Sequence, residues 1–169
     1  MEIYTTERKK AKKALGLIPE HQHVLVIDDC LSPSVLEDLL DLLYISADET
    51  IEISVFCKGT PQSARVIEKD YAKVEHFHVW KDLSKRSVLI ASADLLVTRP
   101  DSSILYRARD SHTPMILTPA KNTTEKINLI YYTDSGCALS AASDVELCDA
   151  CIELLNNPEK LQRMTSMMS

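Results

Sequence analysis

Several residues in this chain have the types and spacings that chemistry uses. Asp28 and Asp29 close an apolar run, His23-Val24-Leu25-Val26-Ile27. A carboxylate pair after a strand can hold Mg²⁺ or simply form a polar loop, and it repels phosphate unless a metal bridges the two. Cys148 and Cys151 form a CxxC, but structural zinc needs four ligands, so these thiols read as buried residues on a helix face. His76 and His78 alternate on one face of an expected strand, a spacing that suits metal ligation. No third ligand accompanies them in sequence, so they read as a structural pair. Ser111-His112 puts a hydroxyl beside a base, yet sequence neighbours seldom face each other. Glycine lets backbone N–H groups approach phosphate oxygens, and it occurs three times, at Gly16, Gly59 and Gly136. That scarcity counts against a P-loop or a dinucleotide fingerprint. No metal or cofactor is expected.

The hydrophobic pattern supplies the elements that must hold these residues. Residues 5–15 read as a short basic helix closed by Gly16. The run 23–27 is apolar at successive positions, which predicts a strand buried on both faces, as in a parallel sheet. Ser32-Pro33-Ser34 with Glu37 supplies N-cap and capping-box chemistry. The helix beyond carries Leu36, Leu39, Leu40 and Leu43 on one stripe. Further strands are expected over residues 51–57, 74–80, 95–98, 114–117 and 137–139. Helices are expected over residues 61–70, 84–93, 102–110, 123–132, 144–155 and 158–167, with Ser143 and Glu146 forming a second capping box. Six strands alternating with helices predict a Rossmann-like, doubly wound, mostly parallel α/β sheet. Ligands of such sheets bind beyond the carboxyl ends of the strands. The relevant loops are therefore Asp28–Pro33, Lys58–Pro61, Pro100–Ser103 and Thr118–Thr124.

Composition narrows the function classes. The 169 residues, 45% hydrophobic and 26% charged, suit one globular domain rather than a disordered chain. The net charge of −6 opposes a nucleic-acid surface. Arg8, Lys9, Lys10, Lys12 and Lys13 against Glu2 and Glu7 make residues 1–13 locally +3, which leaves about −9 for the rest. This basic run reads as a solvated helix. No apolar core follows it, so no secretory signal is expected, and five cysteines then imply reduced thiols in the cytoplasm.

Several phrases, taken in order, carry a family resemblance. Residues 91–100, Ala-Ser-Ala-Asp-Leu-Leu-Val-Thr-Arg-Pro, resemble "a-a-D-l-l-i-t-K-P-G-G". Residues 113–119, Thr-Pro-Met-Ile-Leu-Thr-Pro, are similar to "l-P-m-I-l-n-P". Asn128 stands eight residues before Gly136, as in "N-A-x-x-l-x-x-x-G", and residues 154–164 resemble "ll-x-d-P-e-k-l-x-x-M". These motifs resemble the C-terminal half of GT-B glycosyltransferases of family 28, the group of MurG and the diacylglycerol and monogalactosyldiacylglycerol synthases. The resemblance implies a basic linker helix and lead-in over residues 1–20 and a donor-binding domain over residues 21–169. It implies a UDP-sugar ligand, and hexosyl transfer to a lipid or lipid-linked acceptor held by a separate N-terminal domain. That domain would give the full-length parent a peripheral contact at the inner face of the membrane. An isolated half would lack turnover.

Carried over by position, the donor site departs from the family pattern. The first glycine-rich loop falls on Asp28, Asp29, Cys30 and Ser32, and "P-G-G" falls on Pro100, Asp101 and Ser102. The ribose carboxylate falls on Arg107, and the sugar-facing pair on Thr124 and Glu125, ahead of Asn128. Only Glu125 and Asn128 keep the expected character. No catalytic residue is assigned. The resemblance thus implies a degenerate donor site with weak binding of UDP or another anionic nucleotide, and the alternative is a non-catalytic glycosyltransferase-like module with a binding or regulatory role.

Overall fold

The apolar runs become short strands because a strand buried on both faces favours apolar residues at successive positions, with Glu52 on the second strand as a charged exception. The computed structural model describes residues 2–58 and 61–168. Six strands, β1 (Gln22–Ile27), β2 (Ile51–Phe56), β3 (Phe77–Trp80), β4 (Leu95–Thr98), β5 (Met115–Leu117) and β6 (Ala138–Ser140), form one sheet in the order β3-β2-β1-β4-β5-β6. Every strand pair is parallel. Eight helices connect and flank them: α1 (Glu2–Ala14), α2 (Pro33–Ser46), α3 (Pro61–Tyr71), α4 (Arg86–Ser92), α5 (Ser102–Asp110), α6 (Thr123–Asp134), α7 (Asp144–Leu155) and α8 (Pro158–Ser166). Val24, Val26, Ile53 and Val55 face a core shared with α2, α3 and α7, while Leu25, Ile27 and Leu96 face one shared with α4 and α5. Cys148 and Cys151 are buried in the first of these cores. This is the expected Rossmann-like, doubly wound sheet.

Four local expectations need correction. Residues 74–76 are a turn rather than the start of β3, because Val74 N–H bonds to Tyr71 O and His76 takes a left-handed φ of 63°. Ser32 precedes α2 as its N-cap without a side-chain bond, so the capping box expected there is not made. At α7 it is made: Ser143 Oγ accepts the Glu146 N–H at 3.2 Å. The helix expected over 84–93 divides into a 3₁₀ turn, Leu83–Lys85, and α4. Lastly, α1 is solvated on one face only, with Lys9, Lys10 and Lys13 exposed. It packs along α4, and Lys12, buried, reaches Asp94 Oδ2 and His21 O, each at 2.7 Å. Asp94 also accepts the His23 N–H at 2.8 Å, so one carboxylate ties α1 to the sheet. Removing either member of such a buried pair strands the other charge, which is why the basic run stays docked. Among the described residues, no helix is long and apolar enough to cross a membrane.

Candidate functional site

The strand order reverses direction between β1 and β4, and that reversal opens a crevice at the carboxyl ends of the strands. Four chain segments converge on it. Beyond β1, Asp28–Cys30 form a 3₁₀ turn. Beyond β2 comes Lys58, while Gly59 and Thr60 of the expected loop lie outside the described residues. Beyond β4, Arg99 and Pro100 lead to Asp101, and beyond β5 the chain runs to Asn122, which caps α6 through Glu125 N–H at 2.9 Å.

Ion pairs within the chain fill this crevice. Lys58 Nζ lies 3.3 Å from Asp29 Oδ2 and 3.3 Å from Asp101 Oδ2. Arg99 grips Glu125 with two nitrogens, Nε to Oε1 at 3.2 Å and Nη2 to Oε2 at 2.5 Å. Its third nitrogen stands 3.6 Å from Asp29 Oδ2. Asp28 Oδ1 accepts the backbone N–H of Lys58 at 3.0 Å. Three carboxylates therefore share two cations, and Asp28 stands beside them on a backbone N–H. Asp29 Oδ1 is enclosed without a hydrogen-bond partner.

These contacts set the protonation states. Burial pushes the Glu125 carboxyl up, but the bonds from Arg99 and from Lys121 N–H outweigh it and hold the group below its ordinary value. Asp101 behaves alike, with burial outweighed by bonds from Ser103 and Lys58. Both stay ionised at neutral pH.

The N-terminus of α5 points its free N–H groups into the crevice, an arrangement suited to an anion. Here the anion is already present. Asp101 Oδ1 accepts from Ser103 N–H at 3.0 Å, Ile104 N–H at 3.3 Å and Ser103 Oγ at 2.8 Å. Asp101 thus occupies the α5 donors that an external anion would need.

The positions singled out in sequence separate into groups. Asp28, Asp29, Asp101 and Glu125 meet in the crevice. Asn128 Nδ2 donates to Pro100 O at 3.0 Å and Ser102 Oγ at 2.9 Å, which fixes α6 against the turn after β4. Arg107 lies apart: Nη1 bonds Ser87 Oγ at 2.5 Å, and the side chain lines a groove of about 750 Å³ with Tyr106 and Ser103 on the outer side of α5. Thr124 is exposed on the first turn of α6, and Ser32 ends the loop before α2. Cys30 packs into the core, where burial raises its thiol pKa. The sequence places Lys58 at the start of a strand-end loop without showing its role, and Arg99 without showing its partner.

No protein-family model matches this chain, and no curated protein does. Solved structures do. The C-terminal CMP-Kdo binding domain of WaaA from Acinetobacter baumannii aligns with a TM-score of 0.74 at 11% identity, over 99% of this chain and 97% of that one. The fold is that of one half of a GT-B glycosyltransferase. Anabaena HepE in complex with UDP and glucose aligns with a TM-score of 0.73 at 13% identity, over 96% of this chain and 46% of that one. Acinetobacter baumannii MurG gives 0.60 at 14% identity, over 98% and 48%. The chain spans nearly all of the WaaA domain and just under half of the other two proteins. In this fold the crevice lies at the strand ends, with both of its basic side chains held by carboxylates.

Proposed function

We propose that this chain is the nucleotide-sugar donor half of a glycosyltransferase of the family 28 kind, with a donor site closed by its own ion pairs. The donor would be a UDP-sugar, and the acceptor, lipid or lipid-linked, would be held by a second domain across the crevice. The observation that carries the reading is the convergence of Asp29, Lys58, Arg99, Asp101 and Glu125 at the switch point between β1 and β4. A diphosphate entering there must displace Asp101 from the α5 N–H groups and draw Lys58 and Arg99 off their carboxylates. Bonds to charged groups are worth about 1.5–3 kcal/mol each, so breaking several offsets most of what the phosphate gains. About 4 kcal/mol of affinity would remain, which is millimolar binding. Asn128 and the α5 terminus would position the ligand, while the sugar and its leaving group would react only where the second domain completes the crevice.

The same closure favours a second reading, a non-catalytic module that kept the fold and uses it for binding or regulation. NMR titration of the ¹⁵N-labelled chain with UDP, UDP-hexoses and CMP separates the two. Shifts confined to Lys58, Arg99, Ser103, Ile104 and Asn128 at millimolar ligand support the donor site. Absence of any shift there, in a chain that stays folded, leaves the non-catalytic module standing.

A further inference from the structure

The amino ends of the strands, opposite the crevice, hold another group of chemistry-bearing side chains. His21 ends the turn before β1, Glu52 is the second residue of β2, His76 immediately precedes β3 and His78 lies on it. The parallel register sets Ser54 beside His78, so Glu52 and His78 share one face of the sheet. His76 Nδ1 stands 2.6 Å and His21 Nδ1 3.3 Å from the same Glu52 oxygen, Oε2. His78 Nε2 stands 3.2 Å from the other, Oε1. The donor atoms of His21, Glu52 and His76 all lie within 4.8 Å of one another.

Two features set this cluster apart from ordinary polar packing. The Glu52 side chain is only 4% exposed, and its ion-pair partners among the described residues are all histidines, charged only when protonated. A buried carboxylate thus faces three imidazoles and, among the described residues, pairs with no lysine or arginine. A buried charge calls for a countercharge. Moreover, His76 has a φ of 63°, a conformation that non-glycine residues adopt rarely and that gathers at functional sites. Its own C=O accepts the Ile53 N–H at 2.8 Å, which locks the turn that brings the ring to Glu52.

We propose that His21, Glu52 and His76 bind a divalent transition-metal ion of the zinc class, with His78 orienting the carboxylate through its second oxygen. Two imidazole nitrogens and a carboxylate oxygen form a donor set that suits such ions. In a tetrahedral site with metal–ligand bonds near 2.0 Å, donor atoms stand about 3.3 Å apart, so the His21–Glu52 spacing already fits and the His76–Glu52 contact opens slightly. Each ligating ring would carry its proton on Nε2, which leaves Nδ1 free to coordinate. A water completes the fourth position. His76 also borders a cavity of about 260 Å³ whose walls include Asp48, Glu49 and Glu75. The ion would tie the entry to β1, the start of β2 and the turn before β3 into one unit. This inference stands independently of the donor-domain reading.

The test uses the full chain with Zn²⁺, and with Co²⁺ as a coloured reporter. One equivalent of Zn²⁺ should bind with a Kd of about 10 µM or tighter at pH 7.5. Co²⁺ should give the visible absorption of a tetrahedral N/O site without thiolate charge transfer. Glu52→Gln and His76→Ala should each weaken binding tenfold or more, and Cys148→Ser with Cys151→Ser should leave it unchanged. Should a site variant fail to fold, histidine ring ¹⁵N shifts of the wild-type chain decide. Zn²⁺ must then move Nδ1 of His21 and His76. No binding at 100-fold that concentration, a thiolate signature, or ring shifts elsewhere would overturn the proposal.

Discussion

The pH dependence of stability should report His23, a histidine held neutral by its surroundings. Its ring is fully buried on β1, with Nδ1 3.0 Å from Ser92 Oγ and Nε2 2.6 Å from Ser54 Oγ. Ser92 Oγ donates to Leu89 O at 2.7 Å, so it accepts from His23 Nδ1–H. Ser54 Oγ accepts from Trp80 Nε1–H at 3.0 Å and gives its own proton to Nε2. The network thus fixes one tautomer and leaves no acceptor for a second ring proton. Burial, with Lys12 and His78 nearby, lowers the pKa from 6.5 to about 3. The sign follows from linkage. Above pH 6.5 folded and unfolded chains are both neutral at this ring; below it only the unfolded chain takes up the proton, so stability falls with pH until about pH 3. At about 1.4 kcal/mol per pH unit, the loss between pH 6.5 and 5 is about 2 kcal/mol. Asp101, Glu125 and Glu52, whose pKa values are lowered, add their own losses as the pH falls through and below the usual carboxylate range, and the difference between wild type and His23→Gln isolates this ring. Urea melts at pH 7.5, 6.5, 5.5 and 5.0 should show the slope in wild type. His23→Gln cannot titrate and should flatten it, though it is less stable at neutral pH by about 1–2 kcal/mol for the altered bonds. Parallel profiles for the two proteins would refute the reasoning.

Other expectations follow from the packing and the crevice. Val26→Asp or Leu96→Asp should abolish the cooperative melt, since both sites are fully buried and an unpaired charge there costs several kcal/mol; circular dichroism checks it, and a normal melt would contradict the strand assignment. Arg99→Met should cost about 2 kcal/mol, less than a fully buried pair because Arg99 is 21% exposed, and should lower Tm by about 4–8 °C. Calorimetry showing no change would mean that the Arg99–Glu125 pair is not made. The isolated chain should show no sugar transfer from any UDP-sugar in a radiolabel assay, since acceptor and donor would have to meet across two domains. Measurable transfer would overturn the half-enzyme reading.

Much of the fold was legible because its signals are local. The run from Leu95 to Thr98 and the helices 102–110 and 144–155 lie where the pattern puts them. The failures share a cause, long-range partners. Lys12 reads as solvated until Asp94, far along the chain, is beside it. Val74–His76 keep strand-like alternation while backbone bonds to α3 fold them into a turn. At the site, Asp28 and Asp29 were visible as charges, but not that Lys58 and Arg99 neutralise Asp29. His76 and His78 lacked a third ligand in sequence because Glu52 and His21 arrive from other strand ends.

The central claim is that the crevice is a nucleotide site closed by its own carboxylates, and Asp101→Gly tests it most directly. The substitution frees Ser103 and Ile104 N–H and leaves Lys58 paired with Asp29 alone. A glycine N-cap in place of aspartate costs helix stability only a few tenths of a kcal/mol, so the fold should persist. Calorimetric titration with UDP should give millimolar binding for wild type and at least about tenfold tighter binding for Asp101→Gly, a gain of about 1.4 kcal/mol. Adding Asp29→Asn, which removes the carboxylate that Lys58 and Arg99 share, should tighten it further. Micromolar binding by wild type, or no gain in either folded variant, would contradict the account.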